Sequence, residues 1–231
     1  MRLLANDRAT PTSRVIRVGL GGAPFTYRAG QSAAVGVPGV ELTPYSIASA
    51  PSDTAQHGWL EFLVKVDGSS RFGAIVSDLA AGLPLVVSDP TGSFTLPDRP
   101  PASSYLFVAG GTGIAPLRSM IRELIEQDNA SAIELLYAAR SPEEFAFAEE
   151  FRALERAGRL SLSLTLTGDA PDWPHLRGRP GDTHLARLLR RDTLAFLCGP
   201  NGMVADVAGG LEGLGVAPDR IRAETWAGGS V

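Results

Sequence analysis

The chain has 231 residues, 44% of them hydrophobic, with one cysteine and 21 basic against 25 acidic side chains. That length suits one large domain or two of about 100–130 residues each, and a net charge of −4 without a basic stripe argues against a nucleic-acid partner. Cys198, being alone, excludes an intramolecular disulfide, a cysteine-rich zinc site and a cysteine-ligated iron–sulfur cluster within the chain.

His57, His175 and His184 are scattered without metal-ligand spacing and read as loop or surface residues, so no metal site is expected. No apolar run approaches the ~18 residues of a membrane span. The start, Met1 to Ala9, is interrupted by Asn6, Asp7 and Arg8, so it lacks a secretory apolar region and the expected location is cytoplasmic.

Residues 1–100 read as short strands separated by glycine and proline: Arg14–Leu20, Ser32–Val37, Tyr45–Ala48, Trp59–Val66 and Leu85–Ser88, with one short helix at Gly73–Ala81. Strands this short and closely spaced predict an antiparallel β-barrel. A proline-rich connector, Pro97 to Pro101, marks the boundary. From about residue 103 strands alternate with helices. The predicted strands are Tyr105–Ala109, Ile133–Ala138, Leu160–Thr167, Leu194–Leu197 and Arg220–Ala223. The predicted helices are Ala115–Gln127, Pro142–Ala157, Thr183–Arg190 and Gly202–Leu214. This alternation predicts an α/β domain with a doubly wound parallel sheet and its ligand at the carboxyl ends of the strands. The expected domains are therefore 1–100 and 101–231.

The most informative segment is Tyr105 to Met120. An apolar strand runs into Gly110, Gly111, Thr112 and Gly113, and Pro116 opens a helix with Leu117, Met120, Ile121 and Leu124 on one face. Glycine lets backbone N–H groups approach phosphate oxygens, and the helix N-terminus adds donors and partial positive charge. The strand–loop–helix context makes this a candidate dinucleotide cradle. Three further motifs accompany it: Pro44-Tyr45-Ser46-Ile47-Ala48-Ser49 in the first half, Cys198-Gly199-Pro200 at the end of the fourth sheet strand, and Glu224-Thr225-Trp226 at the end of the fifth.

With these motifs in this order, the chain resembles the ferredoxin–NADP reductase-like superfamily from about Arg14 to Trp226. Ala29-Gly30-Gln31, Pro90-Thr91-Gly92-Ser93-Phe94 and Leu136-Tyr137-Ala138-Ala139-Arg140 also match. The resemblance implies a flavin-binding barrel followed by an NAD(P)-binding domain. It implies that Tyr45 lies against the flavin ring and that Ser46 hydrogen-bonds near the hydride-accepting nitrogen. Gly111, Thr112 and Gly113 would cradle the pyrophosphate, Cys198 and Gly199 would border the nicotinamide, and Trp226 would cover the other flavin face. Ser46, Cys198 and Glu224 are the expected catalytic residues, and Thr43, Lys65, Arg71, Gly73 and Asp169 complete the expected cofactor-binding set. Burying two rings in a dry slot leaves positioning to the protein and chemistry to the cofactors.

The chain departs from the family at two places. Thr43 stands where relatives carry an arginine for the flavin phosphates, and Gly73 stands about where they carry serine or threonine. A charge-assisted contact is worth roughly 1.5–3 kcal/mol, so its loss weakens flavin binding unless Arg71 replaces it. FAD is the expected flavin, with FMN as an alternative.

The loop Thr167 to Asp172, which discriminates the nucleotides in this family, has two aspartates and no basic residue. A carboxylate suits a ribose hydroxyl and repels a phosphate, so NADH is expected over NADPH, with Arg140 and Arg177 the residues able to reverse this. The expected function is hydride transfer from NADH to flavin and onward to a separate acceptor: a ferredoxin, a haem protein, an oxygenase component or a small molecule. The alternatives are a flavin-less accessory subunit, motivated by Thr43 and Gly73, and a dehydrogenase acting directly on an organic substrate.

Overall fold

The computed structural model describes residues 1–66, 68, 70–97, 103–127 and 130–226. The chain divides into two compact units, one made of Met1–Leu96 with Ala115–Asp128 and the other of Pro97–Ile114 with Asn129–Val231. Most of the proline-rich connector, residues 98–101, lies outside the described residues.

The first unit contains β1 (Arg2–Thr10), β2 (Ser13–Gly19), β3 (Ser32–Gly36), β4 (Thr43–Ser46), α1 (Pro51–His57), β5 (Trp59–Lys65), α2 (Arg71–Ile75) and β6 (Val86–Val87). These strands form two three-stranded antiparallel sheets, ordered β1-β2-β5 and β4-β3-β6. Isolated bridges at Ile47–Phe62 and Arg2–Pro84 link the segments, and alternate residues such as Ile16, Val18, Leu60, Phe62 and Val64 fill the interior. The antiparallel β architecture matches the expectation.

Two elements of this unit escape the sequence pattern, as does the two-residue strand at Leu176–Arg177 in the second unit. β1 is a polar strand with register irregularities, stabilised by pairing along its whole length with β2. α1 is short but well bounded: Pro51 opens it, the Asp53 carboxylate accepts the Ala50 N–H at 3.0 Å, and Gly58 closes it at φ 71°. The helix expected at Gly73–Ala81 begins earlier, as α2, and tightens into a 3₁₀ turn at Val76–Asp78.

The second unit contains β7 (Ser104–Gly110), β8 (Ala132–Ala139), β9 (Ser161–Leu166), β10 (Leu176–Arg177), β11 (Thr193–Pro200) and β12 (Ile221–Trp226) in one parallel sheet ordered β10-β9-β8-β7-β11-β12. In chain order, α3 (Ile114–Glu126), α4 (Ala148–Arg156), α5 (Asp182–Leu188) and α6 (Asn201–Gly213) separate its strands. β7, β8 and β11 are almost wholly buried, which is why they read as continuous apolar runs. The single helix expected at Pro142–Ala157 is instead a 3₁₀ turn at Pro142–Glu144 followed by α4. The break falls at Phe147, which adopts φ 59°, a left-handed conformation no side chain favours. Among the described residues, no helix is long and apolar enough to cross a membrane.

Candidate functional site

The glycine loop links β7 to α3. Gly111–Gly113 form a 3₁₀ turn, and the Ile114 N–H bonds back to Gly111 and Thr112. Each glycine is there for a different reason. A Cβ on Gly113 would stand 2.2 Å from the Cys198 carbonyl oxygen and 2.9 Å from the Gly199 nitrogen, so the loop lies directly on the end of β11. A Cβ on Gly110 would meet the Met203 sulfur at 2.7 Å. Gly111 has φ 53° and nothing within 4 Å of its Cβ position, so its outer face is open. Closed beneath and open above, with a 13-residue helix starting at its end, the loop fits a nucleotide pyrophosphate.

Tyr137, on β8, fixes this loop from the side. Its hydroxyl donates to the Gly111 carbonyl at 3.0 Å and accepts from the Ala146 N–H at 3.2 Å. Burial pushes its phenol far above the ordinary value, so it stays a neutral donor. The Phe145 ring meets Tyr137 edge-on and stacks on Trp173 at 5.6 Å, joining the segment before α4 to the segment before β10.

Cys198, Gly199 and Glu224 come together at the ends of neighbouring strands, where Cys198 pairs in register with Glu224 and Gly199 with Thr225. Burial, reinforced by the Glu224 charge, pushes the Cys198 thiol well above its usual range, so it is a neutral small group rather than a nucleophile. Trp226 closes β12, and the role expected of its ring lies outside the described residues.

In the first unit, Tyr45 and Ser46 end β4, half-buried. The Tyr45 hydroxyl bonds Ser70 Oγ at 2.7 Å, and Ser70 Oγ accepts the Gly73 N–H at 2.9 Å, capping α2. Gly73 is more than a missing hydroxyl: a Cβ there would sit 2.5 Å from the Lys65 carbonyl oxygen. Thr43 and Lys65 are half-buried and Arg71 is exposed. The residues present thus fit a flavin ring at Tyr45 and Ser46. Ser70, Lys65 and Arg71 are the groups that would have to meet flavin phosphates in place of the family's arginine and serine or threonine. Sequence reasoning missed Ser70, whose signal is its place as the polar residue before a short helix. It also missed Arg118, a charged residue among the apolar positions of α3.

Asp169 is exposed in the loop after β9. That loop lies on the main chain of Arg140: the Thr167 N–H donates to the Ala139 carbonyl at 2.9 Å, and a Cβ on Gly168 would stand 2.2 Å from the Arg140 carbonyl oxygen. Among the described residues, no group of three or more His, Cys, Asp or Glu side chains is placed to hold a metal ion.

Comparison with known proteins agrees with this geometry. The oxidoreductase NAD-binding domain family matches residues 107–209, which run from β7 into α6. The chain is 33% identical over 218 residues to ferredoxin–NADP reductase B of Sorangium cellulosum, covering 89% of this chain and 87% of that protein. It is 30% identical over 230 residues to the ferredoxin–NAD(P)(+) reductase component of the naphthalene 1,2-dioxygenase/salicylate 5-hydroxylase systems of a Ralstonia species, covering 96% of this chain and 67% of the relative. The crystal structure of a ferredoxin–NADP+ reductase from Neisseria gonorrhoeae with bound FAD and NADP has the same fold, with a TM-score of 0.82 at 21% identity over 97% of this chain and 96% of that one. A glycine loop seated on Cys198-Gly199 after an antiparallel β unit, in a chain 33% identical to a ferredoxin–NADP reductase over 87% of that protein, makes this chain a member of the ferredoxin–NADP reductase family of NAD(P)H-dependent oxidoreductases.

Proposed function

We propose that this protein is a flavin-dependent reductase that takes hydride from NADH and passes electrons to a separate acceptor. The observation that carries the reading is the seam at Gly113, where the loop rests on Cys198 and Gly199 with no room for a side chain while Gly111 stays open above. In this reading residues 1–100 bind FAD and residues 101–231 bind the nucleotide. The open face of Gly111, with Thr112 and Gly113, holds the pyrophosphate. Cys198, Gly199 and Glu224 border the nicotinamide, and Cys198 supplies a neutral wall rather than an attacking group. Tyr45 and Ser46 orient the flavin ring, with the Tyr45 hydroxyl fixed by Ser70, and Lys65 and Arg71 face its phosphates. Bound flavin supplies the conversion between a two-electron donor and one-electron acceptors.

Asp169, with no basic residue between Thr167 and Asp172, supports NADH as the donor. The Ralstonia relative is named as the reductase component of an oxygenase system, and a ferredoxin or an oxygenase component is the acceptor class we assign here. A cytoplasmic site of action fits the use of NADH.

The test is an anaerobic NADH titration of purified protein reconstituted with FAD, following visible flavin absorption. Bleaching at one equivalent of NADH supports the proposal. Failure to bind FAD or FMN would reject it in favour of a flavin-less accessory subunit, the reading that Thr43 and the blocked Cβ position at Gly73 favour.

A further inference from the structure

Two arginines border the loop that follows β9, and both are already engaged. Arg140 leaves the end of β8, and the loop lies on its main chain. Its guanidinium forks onto both oxygens of Glu144, Nε to Oε2 at 3.2 Å and Nη2 to Oε1 at 2.9 Å. Arg177, at the end of β10, donates to the carbonyls of Ala170, of Pro171 at 2.7 Å and of Trp173 at 3.4 Å, bracing the loop from within. The other charged side chains on these segments are Glu143 after Arg140, Asp169 and Asp172 in the loop, and Arg179 beyond Arg177. A guanidinium is the side chain best suited to grip a phosphomonoester in bidentate fashion. Here Arg140 is held by a carboxylate that would itself repel the phosphate, and Arg177 by main-chain carbonyls.

We infer that Glu144 is a specificity-determining residue: by holding Arg140 it disfavours a nucleotide with a 2′-phosphate and leaves the site to one with a free 2′-hydroxyl. The inference rests on the reading that the adenosine end of the nucleotide lies by this loop. It concerns discrimination rather than hydride transfer. Glu144 therefore acts through Arg140 and through its own charge, and hydride chemistry does not depend on it.

The experiment is calorimetric titration of the full chain with adenosine 5′-monophosphate and with adenosine 2′,5′-bisphosphate. The proteins compared are wild type, Glu144→Gln and the double variant Glu144→Gln/Arg140→Ala. Arg140 is largely exposed, so a modest gain is expected: Glu144→Gln binds the bisphosphate roughly three- to tenfold more tightly and changes monophosphate affinity by less than about twofold. The double variant loses the gain. An unchanged ratio of the two affinities in Glu144→Gln, with monophosphate binding intact, overturns the inference. A wild type that binds the bisphosphate more tightly than the monophosphate refutes the NADH reading separately, and one that binds neither removes the site on which both stand.

Discussion

Arg118 and Glu61 meet as a buried ion pair, Nη1 to Oε2 at 2.9 Å, with side-chain exposures of 7% and 6%. The same Arg118 nitrogen donates to the Ala48 carbonyl at 2.8 Å, and the neighbouring Ser119 hydroxyl donates to the Ser49 carbonyl at 2.6 Å. Glu61 spends its other oxygen on Arg17, whose guanidinium lies 4.5 Å from the centre of the Trp59 ring. Within the first unit, α3 is thereby tied to the main chain just beyond Tyr45 and Ser46.

Removing the cation leaves a buried carboxylate half-paired and a buried carbonyl without its donor. Breaking a buried pair typically costs 3–5 kcal/mol, and the surviving Arg17 contact reduces this. Arg118→Met is therefore expected to destabilise the protein by about 2–3 kcal/mol. Urea denaturation followed by circular dichroism checks this, and a loss below about 1 kcal/mol would show that the pair is merely tolerated.

A second tie lies one turn further along α3. Arg122 Nε and Nη2 bond the two Asp53 oxygens at 2.7 and 2.6 Å, and the Ala50 N–H adds a third contact. Burial alone would raise the Asp53 carboxyl, but the Arg122 and Ala50 hydrogen bonds and the charges of Arg122 and Arg118 outweigh it and hold it below the ordinary value. A depressed folded value means stability fully present above the unfolded value of about 3.9 and lost as pH falls through the folded one. Asp53→Asn is expected to melt below wild type at pH 7. Below about pH 4 the gap should narrow, because wild type loses there what the variant never had. Melting temperatures of both proteins over that range decide the matter, and a constant gap would mean that Asp53 ionisation does not contribute.

The legibility of the sequence followed burial. β7, β8 and β11 are buried on both faces, so their apolar runs announced themselves, and the glycines after β7 marked the turn. β1 did not, because Asn6, Asp7 and Arg8 read as loop while a full-length partner in β2 makes them strand. α1 was missed although Pro51, Asp53 and Gly58 are helix punctuation, because it is too short to show a helical period. At the candidate site, the sequence named the residues that line up at the loop and strand ends, Gly113, Cys198 and Glu224, but not the contacts that hold its segments. Tyr137, Ser70 and Arg118 make their contacts 26, 25 and 57 positions away in the chain, separations that leave no local signal.

The glycine loop offers a way to separate folding from binding. At Gly113 an added methyl would press on the backbone of Cys198 and Gly199, which cannot rotate away. Gly113→Ala is expected to cost about 2–3 kcal/mol of stability. At Gly111 the methyl meets no neighbour, and the only structural penalty is the left-handed φ of 53°, about 1–2 kcal/mol for a residue with a side chain. The proposed pyrophosphate, however, would lie over that open face, so the same methyl would stand between the ligand and the backbone donors. Gly111→Ala is therefore expected to remain folded while losing roughly tenfold or more in NADH affinity. Parallel denaturation and NADH-binding measurements on the two variants distinguish the roles. If Gly111→Ala binds NADH as wild type does, the nucleotide does not use the open face of this loop.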